Sequence, residues 1–251
     1  MTNMNLSTRV FRIALLSFVL IFGVSFHSNK SDMANMQNNP LPQTRNRQYL
    51  PEPRLTSDMS VEEALLNRRS IREFKDEQIT LADISQILWA AYGITHKQNS
   101  PAFLRGGLRT APSAGGLYPL EIYLVCGKVE GLKPGLYKYL SESHELELLI
   151  EGDVRKDLAK AALAQDFIAQ APASVFFSAV YRRTTQKYGK RGSERYVCMD
   201  LGHSAENVYL QATALNLGTC AVGAFTDEMV SLVLQLPDEE TPLYIMPIGK
   251  Y

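Results

Sequence analysis

Cysteine is scarce in this sequence, and the spacing of the few that are present argues against several kinds of site. The 251 residues contain 3 cysteines, Cys126, Cys198 and Cys220. An odd number of widely separated cysteines argues against a complete disulfide framework, and it supplies neither a zinc-binding pattern nor a redox CxxC pair. Each of the three lies among apolar residues, so we expect buried free thiols.

The sequence also lacks net charge, low-complexity tracts and internal repeats. Lysine plus arginine and aspartate plus glutamate number 26 each. A balanced charge does not predict a basic surface of the kind that binds nucleic acid, so we expect no nucleic-acid partner. His203 and Glu206 lie three residues apart on a predicted helix, but no further ligands accompany them. We therefore expect no metal site.

The N-terminus has no acidic residue before Asp32, and its apolar run, Ile13–Phe26, is short for a transmembrane helix. Arg9 and Arg12 precede this run, which is the layout of a secretory signal. We therefore predict that residues 1–26 are a signal peptide or an N-terminal anchor. The protein would then be exported to the periplasm or another extracytoplasmic side, and an uncleaved segment would anchor it in the membrane.

The rest of the chain divides into a linker and a domain. Residues 27–58 are rich in asparagine, glutamine, proline and serine, which predicts a flexible linker before a domain at 59–251. Within the domain, the alternating segments 135–140 and 145–150 flank a polar turn and predict an antiparallel hairpin. Helical and strand patterns interleave elsewhere. We predict an α+β fold with a central, mainly antiparallel sheet flanked by helices.

The helix signals are most distinct at three places. Ser60 with Glu63 and Thr80 with Asp83 form capping boxes, each of which predicts the start of a helix. The longest helical pattern runs from about residue 193 to 217, and Gly218 is the predicted stop. The segments 95–107 and 182–195 are polar and read as loops.

The stretch 109–126 starts as a loop of small residues and continues as an apolar strand pattern. Small side chains let main-chain N–H groups approach a flat or anionic ligand closely. The residues concerned are Pro112, Ser113, Ala114 and Gly115. An ordinary turn before a strand is the alternative. A serine-nucleophile elbow fits poorly, because no strand leads into Ser113 and the first glycine of that motif is missing.

Three arginines lie within five positions at Arg68, Arg69 and Arg72, with the hydroxyl of Ser70 among them. Arginine binds phosphate through two parallel hydrogen bonds, so this composition indicates a phosphate clamp. Lys250, at the end of the last strand pattern, would add a further cation. A solvated helix end is the alternative.

Several of these segments resemble one known family. Asn67–Phe74 resembles the N-terminal FMN signature of the nitroreductase superfamily, an R-R-S-x-R-x-F pattern, and Thr110–Leu120 resembles its second flavin motif. Further matches follow in the same order at 134–139, 187–191, 200–203 and 221–225. Together they resemble the SagB-type dehydrogenase branch, which includes the azoline oxidases, over about residues 60–251.

The resemblance implies an α+β flavoprotein that forms an intimate homodimer with FMN at the interface. It implies that the FMN phosphate and ribityl chain are held by Arg68, Arg69, Ser70, Arg72 and Lys250. It further implies that the ring lies against Pro112, Ser113, Ala114 and Gly115 of the other subunit. Backbone contacts near the redox edge of the ring would come from Val222 and Gly223.

The resemblance also implies the reaction. Catalysis would be hydride transfer through the flavin by a ping-pong mechanism, with Lys187 and Tyr188 as the pair that removes a proton. A solvated basic loop is the alternative for that pair. The substrate would be a small molecule or a peptide, and NAD(P)H is a candidate electron donor. The alternative function is a non-catalytic scaffold of this fold, or a partner subunit of a peptide-modifying complex.

Overall fold

The computed structural model describes residues 46–251. Its helices are α1 (Val61–Asn67), α2 (Leu81–Tyr92), α3 (Arg155–Ala161), α4 (Phe167–Gln170), α5 (Arg182–Tyr188), α6 (Val197–Ala214) and α7 (Asp227–Leu234). Its strands are β1 (Arg47–Tyr49), β2 (Ile94–Lys97), β3 (Gly107–Arg109), β4 (Leu120–Cys126), β5 (Gly135–Leu140), β6 (Glu145–Glu151), β7 (Ala173–Ala179), β8 (Gly218–Thr219) and β9 (Thr241–Gly249). Within residues 46–251, no helix is both long enough and apolar enough to cross a membrane.

Seven strands form the central sheet, in the order β1-β6-β5-β4-β7-β9-β8. Every strand pair in this sheet is antiparallel, and β2 and β3 form a separate antiparallel ribbon. The predicted hairpin is present as β5 and β6. The α+β prediction with a mainly antiparallel sheet is therefore confirmed.

Helices cover both faces of the sheet, and alternate residues of β4 enter two separate cores. Ile122 and Leu124 pack in the core that also contains residues of α2 and α6. Tyr123 and Val125 pack in the core formed with α3, α4 and α7. A strand buried on both faces reads as a continuous apolar run rather than an alternating one. The entire β7 strand is buried in the same way.

Both predicted capping boxes begin helices. The hydroxyls of Ser60 and Thr80 accept hydrogen bonds from the amides of Glu63 and Asp83, at 3.1 and 3.0 Å. The predicted end of the longest helix at Gly218 is wrong. Helix α6 ends at Ala214, and Asn216 takes the left-handed conformation (φ 56°) that terminates it. Asparagine tolerates this conformation because its short polar side chain bonds locally.

The domain begins earlier than predicted. Strand β1 pairs with β6 at the edge of the sheet, Leu50 is buried, and the Arg54 amide donates to Gln86 Oε1 over 2.7 Å. Residues 46–58 are therefore part of the domain rather than a flexible linker. The physical reason is that β1 needs only three backbone positions to pair with β6, too few for a sequence pattern. Residues 27–45, and the predicted signal or anchor at 1–26, lie outside the described residues.

Two segments expected to be loops contain regular structure. Segment 95–107 includes strand β2 and one turn of 3-10 helix at Ala102–Leu104, and segment 182–195 forms α5 and part of a π-helical turn at Gly192–Tyr196. The expectation of three buried thiols is also wrong in part. Cys126 and Cys220 are buried, but Cys198 is exposed on the first turn of α6.

Candidate active site

The arginine-rich segment 68–75 leaves α1 and runs along the end of the central sheet. The Ile71 amide donates to the Thr219 carbonyl of β8 over 2.9 Å. The Lys75 amide donates to the Lys250 carbonyl, just after β9, over 2.8 Å. These bonds bring Lys250 beside the arginines, although 175 or more residues separate them in the sequence.

The cations of this segment face solvent and are only partly neutralised. Arg68 lies 3.8 Å from Glu206 Oε1, and Lys250 lies 2.9 Å from Glu77 Oε2. Arg69 donates to two carbonyls at the end of its own helix. Within residues 46–251, the exposed Arg72 is within salt-bridge distance of no carboxylate. The group therefore retains positive charge that is available to an anionic ligand.

Tyr209 of α6 connects the arginine-rich segment to the turn after β8. Its hydroxyl lies 3.1 Å from Ser70 Oγ and accepts a hydrogen bond from the Ala221 amide over 2.7 Å. The Arg68 guanidinium lies 5.2 Å from the centre of its ring. Sequence reasoning missed Tyr209, because it attended only to the apolar stripe of the long helix. A polar aromatic residue beside that stripe was the available signal.

Val222 and Gly223 differ in what they offer to a ligand. Val222 is buried, and it exchanges both backbone hydrogen bonds with Ile245 of β9, at 2.9 and 3.0 Å. Gly223 is exposed. Of the two predicted backbone contacts, only the one at Gly223 is free of bonds within the sheet.

The small-residue loop 112–116 contains one turn of 3-10 helix, with Gly115 and Gly116 at φ values of 64° and 68°. Ser113 is used internally: its hydroxyl donates to Asp200 Oδ2 over 2.5 Å and accepts from the Tyr118 amide over 2.9 Å. Pro112 and Gly115 are the exposed members of the loop. The loop therefore presents main chain, not the serine hydroxyl, to solvent.

Asp200 of α6 anchors this loop through two hydrogen bonds. Its carboxylate accepts from the Ser113 hydroxyl and from the Ala114 amide, the latter over 3.2 Å. Burial raises the pKa of the Asp200 carboxyl, and the hydrogen bonds from Ser113 and Ala114 oppose that rise. The two hydrogen bonds thus offset part of the free-energy cost of burying the Asp200 carboxylate, and they fix the position of the loop.

Lys187 and Tyr188, the predicted proton-transfer pair, lie at the end of α5 against the small-residue loop. A Cβ atom placed on Gly115 would come 2.6 Å from the Tyr188 hydroxyl and 3.1 Å from Lys187 Nζ. The Lys187 ammonium lies 5.3 Å from the centre of the Tyr188 ring. The structure therefore brings this pair together with the predicted flavin loop.

One side of α6 contacts both of the predicted flavin-binding regions of the chain. Going along the helix, Asp200 binds the small-residue loop, and His203 Nδ1 lies 3.3 Å from the Pro112 carbonyl. Glu206, one turn further, pairs with Arg68. Residues three apart on a helix are surface neighbours, about 5–6 Å apart at Cβ. His203 and Glu206, which drew attention as potential metal ligands, are thus the link between the loop and the arginine-rich segment.

An apolar groove of about 400 Å³ lies beside the arginine-rich segment, between α1, α2 and α6. Its lining includes Val61 and Ala64 of α1, Trp89 of α2 and Leu210 of α6. Helix α1 also exposes Leu65 and Leu66, which do not line the groove. The exposed apolar side chains of α1 directly precede the arginine-rich segment in the chain.

Comparison with known proteins identifies the family. The Nitroreductase family model matches residues 65–250. A nitroreductase-like protein of Methanocaldococcus jannaschii is 45% identical over 193 residues, which cover 77% of this chain and 92% of that protein. The crystal structure of a nitroreductase-like protein from Ralstonia eutropha JMP134 is 30% identical with a TM-score of 0.69, covering 84% of this chain and 91% of that one.

A more distant solved structure shares the fold. The E. coli microcin synthetase McbBCD complex with truncated pro-MccB17 bound contains a chain that is 19% identical, with a TM-score of 0.60. The match covers 92% of this chain and 85% of the other. At this identity the similarity establishes the fold alone.

Proposed function

The chain belongs to the nitroreductase family, and we propose that it is an FMN-dependent oxidoreductase that transfers hydride by a ping-pong mechanism. The observation that carries the proposal is the arrangement along α6. There, one helix side contacts both the arginine-rich segment and the small-residue loop, through Glu206 and His203. In the proposed dimer, α6 would thus fix the arginine-rich segment at one FMN and the loop at the FMN of the partner.

The residues present fit FMN in charge and in shape. The phosphate group requires cations at the surface, and Arg72 is exposed without a carboxylate partner among residues 46–251. The flat ring requires main chain that it can approach closely, and the loop exposes Pro112 and Gly115, with Tyr188 and Lys187 beside Gly115. Arg68, Arg69, Ser70 and Lys250 would complete the phosphate and ribityl contacts, and Gly223 would offer a backbone contact to the ring.

Bound FMN would supply the hydride acceptor and donor. The chain would supply position and proton transfer. Asp200 would hold the small-residue loop so that its main chain forms one wall of the ring site. Lys187 and Tyr188, which lie against Gly115, would face a substrate on that ring and remove its proton as hydride departs.

The narrower proposal is a SagB-type, azoline-dehydrogenase-like activity. The placement of the Lys187–Tyr188 pair supports it, since a reductase of nitro compounds or quinones needs no base of this kind. The substrate would be a small molecule or a peptide, and the microcin synthetase complex makes a peptide worth testing. A non-catalytic scaffold or partner subunit of a peptide-modifying complex is the alternative function.

Two further proposals concern assembly and location. The protein would be a homodimer in which the small-residue loop of one protomer, including Pro112 and Ser113, lies against the FMN of its partner. The apolar groove and the exposed side chains of α1 support an interface next to the site. The protein would also be exported to an extracytoplasmic side by residues 1–26, and anchored there if that segment is retained.

Flavin binding and reduction test the proposed function. Purified protein incubated with FMN should retain it through gel filtration, and the flavin absorbance should be bleached by NAD(P)H or dithionite and restored by an oxidant. Arg72→Ala should weaken FMN binding about tenfold or more, the value of one charge-assisted hydrogen bond. Lys156→Ala, which removes an exposed cation from α3, should not.

Each half of this experiment can fail separately. Protein that takes up no FMN, or an Arg72→Ala variant that binds FMN as tightly as Lys156→Ala does, would contradict the cofactor site. Flavin that is held tightly but supports no turnover with any donor and acceptor pair would favour the scaffold alternative. Production of protein from the full chain, followed by mass determination after secretion, would show whether residues 1–26 are removed.

A further inference from the structure

A second cavity, of about 400 Å³, is lined by the end of β5 and the β5–β6 turn, together with Arg105 and with Arg109 of β3. None of the residues assigned above to FMN or to proton transfer lines it. Its lining includes four basic residues, Arg47, Arg105, Arg109 and Lys138. A cavity of this size accommodates a small organic molecule.

Arg109 is the least usual member of this lining, because it is a buried cation without a counterion. The residue is 8% exposed. Its guanidinium donates to the carbonyls of Tyr92 and Arg105, each over 3.1 Å, and to Ser141 Oγ. It also lies 4.6 and 5.1 Å from the ring centres of Tyr92 and Tyr118. In the described part of the chain no carboxylate approaches it within 4 Å.

Buried guanidinium groups normally have every N–H group paired, since an unpaired buried donor costs about 1–3 kcal/mol. The Nε atoms of Arg105 and Arg109 are both buried, and each is without a hydrogen-bond partner among residues 46–251. Both arginines line the cavity. The protein therefore leaves both cations incompletely hydrogen-bonded, and Arg109 has no carboxylate within 4 Å among residues 46–251 to neutralise it.

The carboxylates close to the cavity floor are already shared among several cations. Glu121 pairs with Arg105 at 3.0 Å, with Lys138 at 3.1 Å and with Arg183 at 2.5 Å. Glu240 adds one more contact to Lys138, at 3.2 Å. Counting Arg109, four cations face two carboxylates.

Burial and the neighbouring cations also affect the pKa of Arg105. Burial and the nearby Arg183 hold the pKa of Arg105 below its ordinary value, against the opposing effect of Glu121. Arg47 is paired with Glu145 at 3.4 Å, and Glu142 adds a negative charge to the lining. The positive charge is therefore concentrated around Arg105 and Arg109, which favours a compact anionic group over a polyanion.

We propose that this cavity binds a small organic anion through one carboxylate or phosphate group, held by Arg105 and Arg109. Such a group accepts several hydrogen bonds in the geometry that guanidinium donors offer. Arg105 also donates to the Tyr118 carbonyl, and the Tyr118 amide donates to Ser113 in the small-residue loop. Arg105 thus connects the bound anion to the loop 112–116 through Tyr118, and none of the residues assigned to FMN lines the cavity.

Calorimetric titration and thermal denaturation test this site. The protein is first saturated with FMN, so that the arginine-rich segment 68–75 is not available to added phosphate. Benzoate, succinate and phenyl phosphate are then compared with chloride at equal ionic strength. We expect saturable binding and a raised Tm for at least one oxyanion and not for chloride. Equal responses to all four salts would overturn the proposal.

A pair of substitutions at Ser141 locates the binding. Ser141 lies on the β5–β6 turn and already accepts a hydrogen bond from Arg109. Ser141→Asp would give Arg109 a carboxylate within the chain, and should raise the Tm without added anion while weakening oxyanion binding at least tenfold. Ser141→Asn has nearly the same shape without the charge, and should bind within about twofold of the unsubstituted protein, since only the charge competes with the ligand.

The outcomes distinguish a carboxylate ligand from a phosphate ligand, and binding in this cavity from binding at the arginine-rich segment 68–75. Binding of benzoate or succinate alone identifies a carboxylate, binding of phenyl phosphate alone identifies a phosphate, and either supports the site if Ser141→Asp abolishes it. Oxyanion binding that Ser141→Asp leaves unchanged would overturn it. If the protein takes up no FMN, the same titration on the protein as purified still reports on this cavity, with the arginine-rich segment tested separately by Arg72→Ala.

Discussion

Gly115 shows at the scale of one residue how the candidate site depends on a missing side chain. The Tyr188 hydroxyl and the Lys187 ammonium occupy the space that a Cβ atom on Gly115 would need. Its φ of 64° would also strain any residue with a side chain. A side chain at Gly115 would therefore cause both a steric clash and backbone strain. At Gly131 it would cause backbone strain alone.

Gly115→Ala and Gly131→Ala should therefore differ in activity more than in stability. Both glycines have positive φ values, 64° and 74°, so each substitution should destabilise the protein by about 1 kcal/mol. Only at Gly115 would the new methyl displace Tyr188, since nothing lies within 4 Å of a Cβ on Gly131. Urea denaturation and FMN-dependent turnover measure the two effects. Equal activity in both variants would show that Tyr188 does not need its present position.

The hydrogen-bonding state of single residues was the feature that the sequence predicted least well. The pattern around Ser113 predicted a flavin contact, but only the structure shows that Asp200 and Tyr118 occupy its hydroxyl. The bonds between Val222 and Ile245 depend in the same way on pairing across 23 residues of chain. A linear motif identifies which residues meet a ligand, but not which of their atoms are already bonded.

At the scale of elements, the side chain of one histidine adds to the bonds that hold β1 and the segment after it on the domain, beside the β1–β6 pairing and the Arg54–Gln86 bond. His144, in the β5–β6 turn, has Nδ1 2.8 Å from the Tyr139 hydroxyl and Nε2 2.7 Å from Ser85 Oγ. Ser85 donates to the Pro51 carbonyl, so its oxygen accepts from Nε2–H and Nδ1 accepts from Tyr139. This pattern needs the neutral imidazole.

Acidification should loosen this attachment. Burial lowers the pKa of His144 below its ordinary value near 6.5, with the Pro51 carbonyl and Glu52 opposing. A lowered pKa in the folded state means that the contribution of His144 to stability is complete above pH 6.5. It decreases as the pH falls below that value and is constant below the folded-state pKa.

Hydrogen exchange and urea midpoints between pH 7.5 and 5 test this attachment. The amides of residues 46–51 should exchange faster at the acidic end, and His144→Gln should remove much of the pH dependence because glutamine does not titrate. His203→Gln, which changes an exposed histidine of α6, is the control and should leave the dependence intact. An unchanged pH dependence in His144→Gln would rule out the histidine as its cause.

The elements themselves followed from local chemistry wherever a local signal existed. Capping boxes at Ser60 and Thr80 began helices, and the hairpin at 135–151 followed from alternation around a polar turn. The strands that were not predicted have one cause in common. Strand β1 and the ribbon β2–β3 are three or four residues long, and they are stabilised by partners distant in the sequence rather than by their own pattern.

At the scale of the whole molecule, the sheet is covered on both faces, yet α1 leaves large apolar side chains uncovered. Val61, Leu65 and Leu66 are 65%, 54% and 72% exposed, and Val61 also lines the apolar groove between α1, α2 and α6. Exposed apolar side chains clustered on one short helix mark a candidate interaction site. Its position next to the arginine-rich segment 68–75 couples the proposed dimer to the proposed cofactor site.

Dimerisation and FMN retention should therefore be lost together. Leu66→Glu would place a charge on the exposed apolar surface of α1 that we propose as part of the interface, and should yield a monomer with little bound FMN, because each site would lose the small-residue loop of its partner. Leu232→Glu on α7 is the matched control, since Leu232 is 71% exposed and distant from α1 in the fold. Light scattering after gel filtration and flavin absorbance measure the two properties on the same sample. A Leu66→Glu monomer that binds FMN as tightly as the Leu232→Glu protein would show that one protomer completes the site alone.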